Sequence, residues 1–166
     1  MQEIRLYSSR AARGAAALLC ILWAALIFSM SAEPATVSAD RSGGVTEKVM
    51  LLLVPDFEEK SEAEKAEMLS AADHVIRKTA HFCIFGVLGG LSVFISLGYF
   101  AKKSAHIVRS EVFCALYAAS DEIHQYFVPG RGPKLTDVVI DSVGAFCGIA
   151  FILIVALKWK ERKNGS

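Results

Sequence analysis

Residues 14–32, bounded by Arg13 and Glu33, carry no charged side chain, and residues 79–101 carry none beyond whatever His81 contributes. A third apolar run, 142–157, reaches back to Val138 if Asp141 is tolerated inside it. Crossing a bilayer core takes roughly 20 mainly apolar residues, so each run is long enough, or nearly so, to span. A hydrophobic fraction of 54% beside a charged fraction of 21% fits this segregation and not an ordinary soluble domain. The chain of 166 residues reads as one all-α membrane domain, 1–166.

A fourth segment, 111–128, holds Asp121, Glu122, His124 and Gln125, and hydropathy alone passes over it. Charge asymmetry argues for it. Arg5, Arg10 and Arg13 precede the first run, Lys102, Lys103 and Arg109 separate the second from the third segment, and Lys158, Lys160, Arg162 and Lys163 follow the last. Only with four spans do all three basic groups share one side, which the positive-inside rule makes cytoplasmic. Spans at about 14–32, 79–100, 111–128 and 138–157 then put both termini in the cytoplasm. The connection 33–78 lies outside, with ten acidic residues against six basic ones. A net charge of +1 implies no bulk nucleic-acid affinity.

The first run also has a rival reading as a cleaved signal peptide, with Val37-Ser38-Ala39 as a small-residue cleavage site. Its apolar core is longer than a signal core, which favours an anchor. Within the outer connection, residues 34–47 read as loop. Ser61 with Glu64 reads as a capping box, followed by an interfacial helix with Met68, Leu69, Ala72, Val75 and Ile76 at helical spacing. That helix is expected to run on into the second span. The cysteines (Cys20, Cys83, Cys114, Cys147) fall one per apolar segment without CxxC spacing, as small buried hydrophobes rather than a zinc or redox motif.

Charge at mid-membrane costs about 2.5–3.5 kcal/mol on insertion scales, so Asp121, Glu122 and Asp141 are expected to face inward. At about 100° per residue, Asp121, Glu122, His124 and Gln125 share an arc of roughly 160°, with Ile123 and Phe127 pointing away. Asp137, Asp141, Gly144 and Gly148 share an arc of about 60° on the last helix. His81, Phe85, Gly89, Ser92 and Ser96 form a similar stripe on the second. Each polar face continues into small residues that let helices approach closely, so Gly144-x-x-x-Gly148 reads as an intramolecular packing seam. Three helices converging on one buried site are expected. The turn Pro129-Gly130-Arg131-Gly132-Pro133-Lys134 would fold Arg131 over it, with Arg77 and Lys78 at the mouth of the second helix. His106, in a basic inner connection, reads as a solvated residue.

These residues resemble the VanZ-like family of bacterial membrane proteins. The resemblance rests on Arg77-Lys78-x-x-His81-Phe82, on Asp121-Glu122-Ile123-His124-Gln125 followed by Pro129-Gly130-Arg131, and on Asp137 through Gly144 to Gly148. The Phe28-Ser29 end of the first helix, with Ser38 and Ser42 beyond it, fits the same pattern. The likeness covers essentially the whole chain and implies a multi-pass protein of the bacterial plasma membrane, linked to envelope or antibiotic biology. Its family name comes from an accessory protein that lowers susceptibility to the glycopeptide teicoplanin. Many relatives carry Asn in place of Asp141, which implies that a neutral side chain serves there.

Two functional readings stand beside a purely structural polar network. In one, a binding module recognises a lipid head group, a lipid-linked cell-wall precursor or a glycopeptide through Lys78, Gln125, Arg131, Asp137 and Asp141, with Lys134 adding charge. In the other, a membrane-embedded hydrolase or transferase acts on a phospholipid or undecaprenyl-linked substrate, with His81, Asp121, Glu122 and His124 as candidate catalytic groups. The ligand types suit a metal, but no double-histidine pair at i, i+4 supports one, so neither metal nor cofactor is expected.

Overall fold

The computed structural model describes residues 10–97 and 103–164. Five helices follow one another: α1 Arg10–Ser31, α2 Ala35–Leu53, α3 Glu62–Ser96, α4 Lys103–Gln125 and α5 Leu135–Asn164, with a 3-10 turn Phe57–Glu59 before α3. The described residues are all-α. Three stretches are long and apolar enough to cross a membrane, Ala11–Ser31, Glu62–Ser96 and Leu135–Arg162. The helix α4 begins ahead of the expected 111–128 segment and does not meet that apolar criterion. Arg5, Lys102 and the expected inner end of the second span, residues 98–100, lie outside the described residues.

The centre of the bundle is the α3–α5 pair, and glycine is why these two helices touch along their backbones. A Cβ on Gly144 would overlap the Phe82 carbonyl, and one on Gly148 would overlap the carbonyl of Gly86. The Gly144–Gly148 seam is therefore intramolecular. Lipid tails are as apolar as leucine, so contact at this range supplies dispersion where no hydrophobic drive between helices exists. Phe85 and Leu88 of α3, Cys114 and Ala118 of α4, Ala145 of α5, and Cys20 and Ile27 of α1 close one core. Val93, Leu97, Ile149, Leu153 and Ala156 close a second, towards the far end of α3 and α5. Two side chains fasten α1 to its neighbours: Trp23 Nε1 donates to the Ile84 carbonyl at 2.9 Å, and the Tyr117 hydroxyl donates to the Ala24 carbonyl at 2.6 Å.

The capping box forms as expected. Ser61 accepts from the Glu64 backbone N–H, the Glu64 carboxylate accepts from the Ser61 N–H, and α3 then runs unbroken for 35 residues. At 1.5 Å per residue, its polar N-terminal half rises about 25 Å beyond the apolar half that starts near Thr79.

Three expectations are corrected. Of residues 34–47, expected as loop, Pro34 is the N-cap and 35–47 form the first part of α2, despite Gly43 and Gly44 inside it. Each mid-helix glycine costs about 1 kcal/mol relative to alanine, and packing on α3 overrides that. Thr46 and Met50 are buried, and the Thr46 hydroxyl lies 3.3 Å from Asp73 Oδ1. His106 is not solvated but fully buried in α4, with Nδ1 3.1 Å from the Ser96 hydroxyl. Of the cysteines, Cys20 and Cys114 are buried while Cys83 and Cys147 are exposed. All four are free thiols.

Candidate functional site

At one end of the bundle, the start of α2, the middle of α3, the end of α4 and the start of α5 surround a polar cavity of about 330 Å³. Local chemistry builds its rim. Gly130 takes φ +75°, a left-handed conformation, and its Cβ position would stand 3.0 Å from the Ala35 side chain. Glycine meets both demands without strain. The Ala35 N–H donates to the Pro129 carbonyl at 3.2 Å, so the α4–α5 turn and the start of α2 are joined. The Lys134 backbone N–H donates to Glu122 Oε2 at 2.6 Å, which pins the other end of the turn to α4.

The cavity wall is cationic. Arg77, Lys78, Arg131 and Lys134 line it with His74 and His81, and among the described residues Asp137 is the carboxylate in this wall. Lys78 and Asp137 form a short ion pair, and Arg77 holds Asp73 at 3.2 Å. Burial, the largest influence, draws the Arg131 guanidinium below its ordinary value; Asp121 opposes this and Arg77 adds to it. An anion placed beside Arg131 would offset the cost of holding that charge away from water.

A second cavity of about 270 Å³ opens beside the first and is mainly apolar, with Ile27, Met30, Val45, Ile76, Ile84 and Phe85 in its wall. Ser38, Arg77, His81 and Arg131 line both. The two spaces therefore adjoin across a boundary that carries charge.

Beneath the cationic wall lie the buried carboxylates. Asp121 is 2% exposed; its Oδ2 accepts from the Ser31 hydroxyl at 2.7 Å and from Gln125 Nε2 at 3.0 Å. Asp141 is fully buried, with Oδ1 3.5 Å from His81 Nδ1, an ion-pair separation longer than a hydrogen bond. Among the described residues, neither Asp141 oxygen has a hydrogen-bond partner, and neither do Asp121 Oδ1 and Glu122 Oε1.

The expected site residues are thus gathered unevenly. Lys78, His81, Gln125, Arg131 and Asp137 line the polar cavity, while Asp121, Glu122 and Asp141 form a layer beneath it. His124 stands apart. Its ring stacks on Phe28 of α1 with centroids 4.2 Å apart, and it lines neither cavity. Ser31 and His74 belong to the site without having been singled out from the sequence. His74 was legible, because His74, Lys78 and His81 fall at i, i+4 and i+7 of one helix face. Ser31 closes an apolar run and carries no comparable signal. Among the described residues, no group of three or more His, Cys, Asp or Glu side chains is placed to hold a metal ion.

An all-helical bundle with membrane-length helices and a cationic pocket over buried carboxylates defines the class of protein. Residues 16–156 match the VanZ/LLP1 family, and the chain belongs to that family. Neither a curated protein nor a solved structure matches it significantly.

Proposed function

We infer that the protein binds one phosphate-bearing lipid at the outer leaflet of the bacterial plasma membrane, with the head group in the cationic cavity and a chain in the apolar one. The observation that carries this reading is the shared boundary: Arg77, His81, Arg131 and Ser38 line both spaces. A phosphate there meets guanidinium groups, whose charge-assisted hydrogen bonds are roughly twice as strong as neutral ones.

In this reading α4 is the fourth span and both termini are cytoplasmic. Its 23 residues give a helix about 35 Å long. Its acids Asp121 and Glu122 are buried, while Val112, Phe113, Leu116 and Ile123 are exposed on the surface a lipid would meet. Hydropathy counts those acids as though they faced lipid. The first helix is an anchor kept in the mature protein, supported by its hydrogen bonds to α3 and α4.

The shared ligand chemistry, a phosphate on a long-chain lipid, has two sources: a glycerophospholipid or a polyprenyl-linked cell-wall precursor. Holding the second at the outer leaflet changes what a glycopeptide antibiotic can reach. That is the route by which we connect the protein to teicoplanin-type susceptibility.

Native mass spectrometry of the detergent-purified protein tests the reading with phosphatidic acid, phosphatidylglycerol, undecaprenyl diphosphate and phosphate-free diacylglycerol offered in turn. Phosphate-bearing lipids are expected to be retained and diacylglycerol is not. Preference between the first two and the third identifies the source. Charge-assisted bonds contribute about 1.5–3 kcal/mol, so Arg131→Ala should weaken retention by about tenfold or more. Equal retention of diacylglycerol contradicts the reading.

A further inference from the structure

Among the described residues, the titratable side chain that lines both cavities and also stands against a fully buried carboxylate is His81. Its ring is about one-third exposed, while the Asp141 side chain beside Nδ1 is 1% exposed. A histidine held on one nitrogen by a buried acid presents its other nitrogen for proton transfer. The separation of 3.5 Å is of the kind that tightens when a ligand fills a site. Of the four cations in the wall, Lys78 pairs with Asp137 and Arg77 with Asp73; the other two, Arg131 and Lys134, exceed the single charge of a phosphodiester. They suit a terminal phosphate, which carries close to two charges at neutral pH.

We propose that the protein is a lipid phosphatase that hydrolyses a terminal phosphate from a long-chain lipid, with His81 as the catalytic base and Asp141 as its positioning residue. This rests on the lipid-binding reading and assigns a reaction to the same site. Water supplies the nucleophile. His81 Nε2 takes one proton from it while the water oxygen forms a bond to phosphorus and the bond from phosphorus to the lipid oxygen breaks. The departing lipid oxygen, on the side of phosphorus opposite the water, takes a proton from solvent, and the imidazolium gives its proton back to solvent. A lipid monophosphate and water become the lipid alcohol and inorganic phosphate, a lipid diphosphate and water become the lipid monophosphate and inorganic phosphate, and the histidine ends neutral. Arg131, Arg77 and Lys134 are placed to balance charge on the phosphoryl oxygens as they separate from the lipid oxygen. His124 takes no part, because it lies against Phe28 outside both cavities.

The test uses the whole protein in nanodiscs containing phosphatidic acid or undecaprenyl diphosphate, with released inorganic phosphate measured beside bound lipid. Release from one of the two is expected. Proton transfer by a placed side chain contributes typically 10²–10⁴-fold, so His81→Gln should lower kcat by about that factor with KM changed less than about threefold. Asp141→Asn keeps an acceptor for the ring and should retain more turnover than Asp141→Leu, again through kcat and not KM. Thermal unfolding and lipid retention of each variant separate a lost base from a lost fold. Lipid retained without phosphate release overturns this inference and leaves lipid binding standing, whereas neither retention nor release sinks both. Undiminished turnover by His81→Gln removes His81 from the reaction.

Discussion

Glu122 and Lys134 sit at opposite ends of the turn between α4 and α5, and the Lys134 N–H donates to the Glu122 carboxylate at 2.6 Å. That bond, with those from the Ala35 N–H to the Pro129 carbonyl and from the Arg131 N–H to the Val128 carbonyl, fixes the turn that carries Arg131 over the cavity. A hydrogen bond to a charged group contributes about 1.5–3 kcal/mol. Glu122→Ala is expected to lower stability by that order and to open the turn to proteolysis near Gly132, while Glu122→Gln keeps an acceptor and loses less. Thermal unfolding with limited proteolysis in detergent checks both.

The link between Ser31 and Asp121 makes a second prediction. Ser31→Ala removes the hydroxyl donor from a carboxylate that is nearly inaccessible to water. Leaving a buried polar group short of a partner costs about 1–3 kcal/mol. Asp121→Asn in the Ser31→Ala background should recover part of the loss, since an amide is cheaper to bury than an unpaired charge. A double-mutant cycle on unfolding midpoints reads the coupling, and additive losses would show that the two residues act independently.

Gly148 provides the third. Its Cβ position is occupied by the Gly86 carbonyl, which belongs to backbone and has nowhere to rotate. Gly148→Ala is expected to cost about 1–3 kcal/mol, as overpacking does, and Gly148→Leu to prevent assembly of the α3–α5 pair. By contrast, nothing lies within 4 Å of the Cβ position at Gly132, so Gly132→Ala should unfold at the wild-type temperature.

Much of this architecture was readable because membrane helices advertise themselves by what they exclude. The uncharged runs located α1, the apolar half of α3 and α5, and the spacing of Gly144 and Gly148 located the seam that joins the last two. The carboxylate layer was legible in the inward arc of Asp121, Glu122 and Gln125. His124 lies on the flank of that arc that faces Phe28, because an arc of roughly 160° is wide enough to serve two neighbours. The α2 helix was hidden because its packing face, Ser38, Ser42, Thr46 and Met50, is mostly polar and is interrupted by Gly43-Gly44. His106 was hidden by its basic neighbours, which describe the surroundings of α4 and not the face His106 turns inward.

The capping box at Ser61 supplies a prediction with a pH sign. Hydrogen bonds from the Ser61 hydroxyl and backbone N–H hold the Glu64 carboxyl below its ordinary value. A carboxyl depressed in the folded state contributes stability above its unfolded pKa, and that contribution is lost as pH falls through the folded one. Amide exchange in the first turn of α3 should therefore quicken relative to the intrinsic rate as pH drops below the usual carboxylate range. Ser61→Ala should show fast exchange at neutral pH with little further pH response. An unchanged exchange profile would mean the cap does not hold the turn.

The central claim is that one lipid occupies both cavities, and photo-crosslinking tests it most directly. A phosphatidic acid with a diazirine in its acyl chain is added to the protein in nanodiscs, irradiated, and the adducts are mapped by peptide mass spectrometry. The account predicts adducts on residues of the apolar cavity such as Met30, Val45 and Ile84, reduced by about tenfold or more in Arg131→Ala, because the head group is what holds the chain there. Adducts spread over the exposed faces of α1 and α5 and indifferent to Arg131 would contradict it.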